Sequence, residues 1–282
     1  MNSLIEQAAI RLEQLRQAGA ELPPSISPMP KPMESVSSRQ VEIDLQALAE
    51  KGIVSPNAPR SQIADQFRVI KRPLIRNAMG KGASVIPNGN LIMVTSSLPG
   101  EGKTFTAINL ALSIATELDN TVMLVDADVG RPSVMGVLGL PAGPGLLDLV
   151  LDESKDLSSM LYRTNIAKLT VLPSGTPHDR ATELLASDAM IRLLNDIARR
   201  YPDRIVVFDS PPLLLATESR VLASHMGQIV MVVQAEITSQ SDVRHALATI
   251  ESSPVKLMLL NQARTATKGA YEYGYGYEPQ PA

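Results

Sequence analysis

The sequence predicts an α/β fold: a doubly wound, mostly parallel sheet with an N-terminal helical extension and a flexible Tyr-rich C-terminal tail. Three observations predict it. Six short β-rich apolar runs follow one another from residue 91: LIMVT (91–95), TVMLVD (121–126), LTVLP (169–173), RIVVFD (204–209), QIVMVV (228–233) and KLMLL (256–260). Helical patterns near 103–118, 181–200, 216–226 and 239–252 alternate with them, as in a parallel sheet built from strand–helix units. The runs are apolar almost throughout rather than at every second position, so both sheet faces must be covered.

Composition narrows the class. A chain of 282 residues suits one domain of about 200 residues plus extensions, and 44% hydrophobic residues suffice for its core. Lys and Arg total 26 against 29 Asp and Glu, and this slight acidic excess argues against a nucleic-acid partner. The lack of Cys excludes disulfides, thiolate zinc sites and a thiol nucleophile; three scattered His argue against a His-based metal site. No apolar run approaches the ~18 residues that span a bilayer. The opening MNSLIEQAAIRLEQLR carries charges among its apolar positions, unlike a signal-peptide core. The expectation is a cytoplasmic chain that meets a membrane only through a partner.

Residues 1–20 read as an amphipathic docking helix. Ser3 and Glu6 form a capping box, and Leu4, Ile5, Ala8, Leu12 and Leu15 share a face. Residues 21–40 hold five Pro between Pro23 and Pro32 and read as an extended linker. Residues 41–89 form a helical lead-in, with a short amphipathic element at 41–52 and a helix over 61–72 that Pro73 is expected to break or kink. Residues 90–264 are the α/β domain. Residues 265–282 end in GAYEYGYGYEPQPA, a low-complexity tail with four of the chain's six Tyr.

Three segments carry chemistry. SSLPGEGKT (96–104) follows a strand and opens a helix, the setting of a phosphate-binding P-loop. Gly100 and Gly102 let backbone N–H groups close around phosphate oxygens, Lys103 supplies a cation, and Thr104 offers a hydroxyl to Mg²⁺. Ser97 stands where the strict pattern wants Gly. VMLVDADVGRP (122–132) delivers Asp126 and Asp128 at a strand's C-terminal end, where ligands bind in open parallel sheets. Two residues apart on an extended backbone, they share a face and can reach one Mg²⁺ or one substrate hydroxyl. RIVVFDSPP (204–212) ends a hydrophobic strand in Asp209, the Walker-B form that holds Mg²⁺ directly or through water.

A P-loop with two aspartate-bearing strands resembles the deviant-Walker ATPases related to MinD and ParA. Those carry Lys early in the loop, where this chain has Leu98. S-x-x-P-G-E-G-K-[ST] instead resembles the bacterial tyrosine kinases of exopolysaccharide and capsule synthesis, over about residues 60–282. DADVGRP is similar to their Walker A′ segment, with Gly130 where Arg is common. SGTPHDRATELLAS (174–187) is similar to a P-x-E-L-L segment, with Ala181 for Pro. The N-terminal helix and linker resemble those of autokinases encoded with PEP-CTERM and exosortase systems.

The resemblance implies an ATP-dependent protein-tyrosine autokinase using Mg²⁺. Lys103, Asp126 and Asp128 would be its catalytic residues, with Asp126 orienting or deprotonating the phenol. Ser97, Pro99, Gly100, Glu101, Gly102, Lys103, Thr104, Phe105 and Asn261 would bind ATP, Asn261 through the adenine. Thr104, Asp128 and Asp209 would hold the metal. Tyr271, Tyr273, Tyr275 and Tyr277 would be phosphorylated, each adding roughly −1.5 to −2 charges. It further implies a ring-like homo-oligomer, contacted through an E-x-x-R-x-x-R helix matched by Asp65, Arg68 and Lys71, and a membrane chain-length regulator as activator. The alternatives are a MinD/ParA-type positioning ATPase that hydrolyses ATP without touching Tyr, and a non-enzymatic ATP-binding scaffold whose helix over 3–18 docks a partner.

Overall fold

The computed structural model describes residues 39–56, 61–200 and 203–264. The expected docking helix, the linker up to residue 38 and the Tyr-rich tail lie outside these residues. The chain forms an eight-stranded sheet from Arg39–Val41 (β1), Leu91–Ser96 (β2), Thr121–Asp126 (β3), Tyr162–Thr164 (β4), Leu169–Leu172 (β5), Arg204–Asp209 (β6), Gln228–Gln234 (β7) and Lys256–Asn261 (β8). Their spatial order is β1-β4-β5-β3-β6-β2-β7-β8. Only the β4–β5 pair is antiparallel. All six predicted strands are present, and the doubly wound reading holds.

Alternation within buried strands builds two cores. On one face Ile92, Val94, Leu124 and Val207 pack in one cluster with Leu48 of Leu45–Glu50 (α1), Phe67 and Leu74 of Gln62–Ala78 (α2), and Ile108 and Leu112 of Lys103–Ala115 (α3). On the other, Leu91, Met93, Val125 and Phe208 lie under Leu146–Leu151, Asp188–Arg200, Thr217–Ala223 and Gln240–Ala248. The central β2 is paired by β6 on one side and β7 on the other, which places the switch in winding beside its C-terminal end.

Three local expectations change. Pro73 does not break α2, which runs on to Ala78. Pro73 is solvent-exposed, while Phe67, Lys71 and Leu74 anchor the helix on its buried side, so packing outweighs the one lost hydrogen bond. The helix predicted over 181–200 is two helices, Ala181–Leu185 and Asp188–Arg200, because Ser187 restarts the chain by accepting from Met190 N through its hydroxyl. Strand β1 takes up Arg39 and Gln40 from the end of the expected linker.

The expected oligomer contact divides in two. Asp65 and Arg68 are exposed and pair with each other at 2.5 Å. Lys71 turns inward instead: its Nζ donates to Ser113 O at 2.5 Å and Thr116 Oγ1 at 3.1 Å, and pairs with Glu117 at 2.6 Å. It therefore satisfies the carbonyl end of α3, where a cation also suits the helix dipole.

Candidate nucleotide and magnesium site

Three parallel strands deliver the site. The loop after β2 (97–102) leads straight into α3, and β3 and β6 end in register at Asp126 and Asp209. Segment 210–214 locks onto β2 and the loop: Ser210 N donates to Val94 O, Leu213 N to Ser96 O and Leu214 N to Ser97 O. Thr95 Oγ1 donates to Pro211 O at 2.9 Å. The floor of the site is thus cross-braced by hydrogen bonds.

Gly100 and Gly102 have φ of +85° and +93°, left-handed values that favour glycine. At Gly102 space is closed as well, since an added Cβ would lie 2.1 Å from Asn261 Nδ2. Gly102 caps α3 without a side-chain hydrogen bond, which leaves the first helical amides free for an anion. Lys103 and Thr104 follow, half-buried. Phe105 packs its side chain against the core. Ser97 is buried and its hydroxyl has no hydrogen-bond partner.

The carboxylates differ in surroundings. Asp126 is fully buried; its Oδ2 accepts from Ser133 N and Val134 N at 3.0 Å, while Oδ1 makes no hydrogen bond of regular geometry. Burial pushes it up to about 6, against the pull of those amides, and Asp128 adds to the rise. Asp209 is fully buried, with neither oxygen in a hydrogen bond of regular geometry. Burial pushes it up to about 7; the nearby Thr104 hydroxyl and Lys103 pull down, Asp126 and Asp128 push up. Asp128 is also raised by burial, offset by the Arg131 amide and by Lys103.

This donor set fits a divalent cation. Three buried carboxylate oxygens without a regular hydrogen bond are costly on their own and would be completed by a cation or its waters. Among the described residues no three acidic or His side chains converge as a self-sufficient cage. Mg²⁺ needs none: one or two carboxylates, a hydroxyl, waters and phosphate oxygens are its usual shell.

Some placements were not legible in the sequence. Ser133 Oγ lies 3.0 Å from Thr104 Oγ1, so Ser133 touches both the candidate metal-binding hydroxyl and, through its amide, Asp126. Thr182 Oγ1 donates to Glu218 Oε1 at 2.6 Å, and Glu218 in turn raises Asp128, which ties RATELL to the site. Asn261 Nδ2 donates to Glu101 O at 2.9 Å, so its amide rests on the phosphate loop. At Gly130, where the resemblance expects Arg, an added Cβ meets nothing within 4 Å.

A parallel-sheet domain with this loop, helix and aspartate trio is a P-loop nucleotide-binding protein. The sequence profile of the AAA domain family matches residues 89–261, and the chain belongs to that family. Its relatives are bacterial tyrosine-protein kinases. It is 28% identical over 228 residues to the tyrosine-protein kinase YwqD of Bacillus subtilis, covering 80% of this chain and 91% of YwqD. It is 30% identical over 189 residues to the putative tyrosine-protein kinase EpsB of Ralstonia nicotianae, covering 66% of this chain but only 24% of that longer protein. Among solved structures it resembles the chimerical protein CapA2B2, with 26% identity, a TM-score of 0.62, and 79% of this chain and 93% of that one covered. No helix among the described residues is long and apolar enough to cross a membrane.

Proposed function

We propose that this chain is an ATP-dependent protein-tyrosine autokinase whose targets are Tyr271, Tyr273, Tyr275 and Tyr277. The observation that carries the reading is an intact phosphate-loop and aspartate site in a chain that aligns with nearly all of YwqD, a tyrosine-protein kinase. In this reading Lys103 and the amides of residues 100–105 bind the ATP phosphates. Thr104, Asp128 and Asp209 hold Mg²⁺ directly or through water. Bound Mg²⁺ supplies neutralisation of phosphate charge. Asp126 orients the phenol and takes its proton, a task that suits a carboxylate raised to about 6. Most of the rate enhancement is positioning and charge stabilisation.

The wider assignments rest on the family resemblance. The chain acts at the inner face of a membrane, recruited by a polysaccharide chain-length regulator, and assembles as a homo-oligomer whose tails reach neighbouring sites. Phosphorylation of the tails adds like charge and loosens the assembly, which regulates polysaccharide polymerisation and export. Asp65 and Arg68 remain available to that contact; Lys71 is already engaged within its own chain.

The test is incubation with Mg-ATP followed by intact and peptide mass spectrometry. A variant with the four tail Tyr replaced by Phe runs in parallel, with and without the cytoplasmic segment of the membrane partner. Phosphate on residues 271–277, absent from the Phe variant, is the expected result. Phosphate released only into solution, even with the partner present, would instead favour the positioning ATPase.

A further inference from the structure

Glu101 poses an electrostatic problem. It sits between the two loop glycines, 1% exposed, where a polyphosphate has to bind. A carboxylate free to turn there would repel the phosphates or compete for Lys103. Both its oxygens are occupied elsewhere. Oε2 accepts from Leu98 N at 2.7 Å, and Oε1 accepts from the Thr238 hydroxyl. Thr238 belongs to the turn after β7, and its hydroxyl also accepts from Gln234 N at 3.3 Å.

The end of β8 holds the loop backbone. Gln262 Nε2 donates to Gly100 O at 3.2 Å, and Asn261 Nδ2 donates to Glu101 O at 2.9 Å. Gln234 Nε2 reaches Gln262 Oε1 at 2.7 Å, closing the set. A trans peptide is planar, so its C=O and N–H point in opposite directions. Fixing the carbonyls of Gly100 and Glu101 on residues 261–262 therefore aims the N–H groups of Glu101 and Gly102 the other way. Glu236 and Gln262 have φ of +64° and +56°, strained for non-glycine residues. Such strain persists where surrounding contacts hold it.

We infer that Thr238 is a positioning residue for the nucleotide triphosphate: its hydroxyl holds the Glu101 carboxylate out of the phosphate site, while Asn261 and Gln262 set the direction of the loop amides. The inference rests on the nucleotide-site reading above. It is tested on the full chain by calorimetric titration with Mg-ATP. Thr238→Val keeps shape and deletes the donor, and should weaken binding about tenfold, the scale of a hydrogen bond to a charged group. Thr238→Ser keeps the hydroxyl and should bind within about twofold of wild type.

A double-mutant cycle separates this role from a merely structural one. Glu101→Gln removes the charge but keeps an acceptor for Leu98 N. In that background the Thr238→Val penalty should shrink to less than about threefold, because no charge is left to restrain. An unchanged penalty in the Glu101→Gln background, or Thr238→Val binding like wild type, overturns the inference while leaving the nucleotide site intact. A wild-type chain that fails to bind Mg-ATP sinks the nucleotide reading itself, and this inference with it.

Discussion

Replacing Asp209 with Asn should stabilise the metal-free protein in a pH-dependent way. The carboxyl is pushed up from its ordinary 3.8 to about 7 by burial. Between those values the folded chain retains a proton that the unfolded chain gives up. Stability therefore falls as pH rises from about 4 to about 7, and levels off above that. A shift of this size corresponds to about 4 kcal/mol of stability lost by pH 8. Asn has the same shape and no charge to bury, so Asp209→Asn should match wild type at pH 4 and exceed it by about 4 kcal/mol at pH 8. For a chain of this size that is a rise in Tm of roughly 8–16 °C. Asp126 titrates in the same direction in both proteins and largely cancels. The assay is urea or thermal unfolding in a chelator, without nucleotide, across this pH range. Equal stability of the two proteins at pH 8, or the same difference at both ends of the range, would refute the reasoning. With Mg-ATP present the gap at pH 8 should narrow, since wild type keeps the full set of Mg²⁺ donors and gains more binding energy.

Three further outcomes are expected. Lys103→Met should abolish both nucleotide hydrolysis and tail phosphorylation; full tail phosphorylation in that variant would mean the phosphate loop is misassigned. Gly102→Ala meets both Asn261 and a φ of +93°, so it should cost ~1–3 kcal/mol in urea melts and weaken Mg-ATP binding more than about tenfold. Pairing it with Asn261→Ala should relieve only the steric part. Lys71→Met takes the ammonium from the Glu117 carboxylate and from Ser113 O, which keeps the Thr116 hydroxyl as a donor, and should cost about 1–3 kcal/mol. Its elution in size-exclusion chromatography should be unchanged, because Lys71 is already spent inside the chain.

The sheet was legible because its strands are buried on both faces, and continuous apolar runs such as RIVVFD leave few other readings. The phosphate loop and Asp126, Asp128 and Asp209 were legible for a related reason: loops at the C-terminal ends of such strands follow immediately in sequence. Short elements were not. Val134–Val137, Leu157–Met160 and Tyr162–Thr164 hold three or four residues each, too few to show a period. The continuation of α2 through Pro73 was hidden because a Pro rule is local while the packing of Phe67 and Leu74 is not. Thr238 lies 137 residues from Glu101, and no pattern in either segment announces the bond. Ser133 is closer in sequence and follows Arg131-Pro132, but its tie to Thr104 depends on two strands lying in one sheet.

The anchoring of Gln262 on the phosphate loop bears on how tail transfer would be kinetically ordered. Tyr271 lies nine residues beyond Gln262. Nine residues span at most about 30 Å when fully extended. Gln262 already touches the loop at Gly100 O, so that contour exceeds what a return to the chain's own loop requires. Tether length therefore does not forbid transfer within one molecule. A rate of tail labelling independent of protein concentration would mark transfer within one molecule, and a rate rising with concentration would mark transfer between molecules.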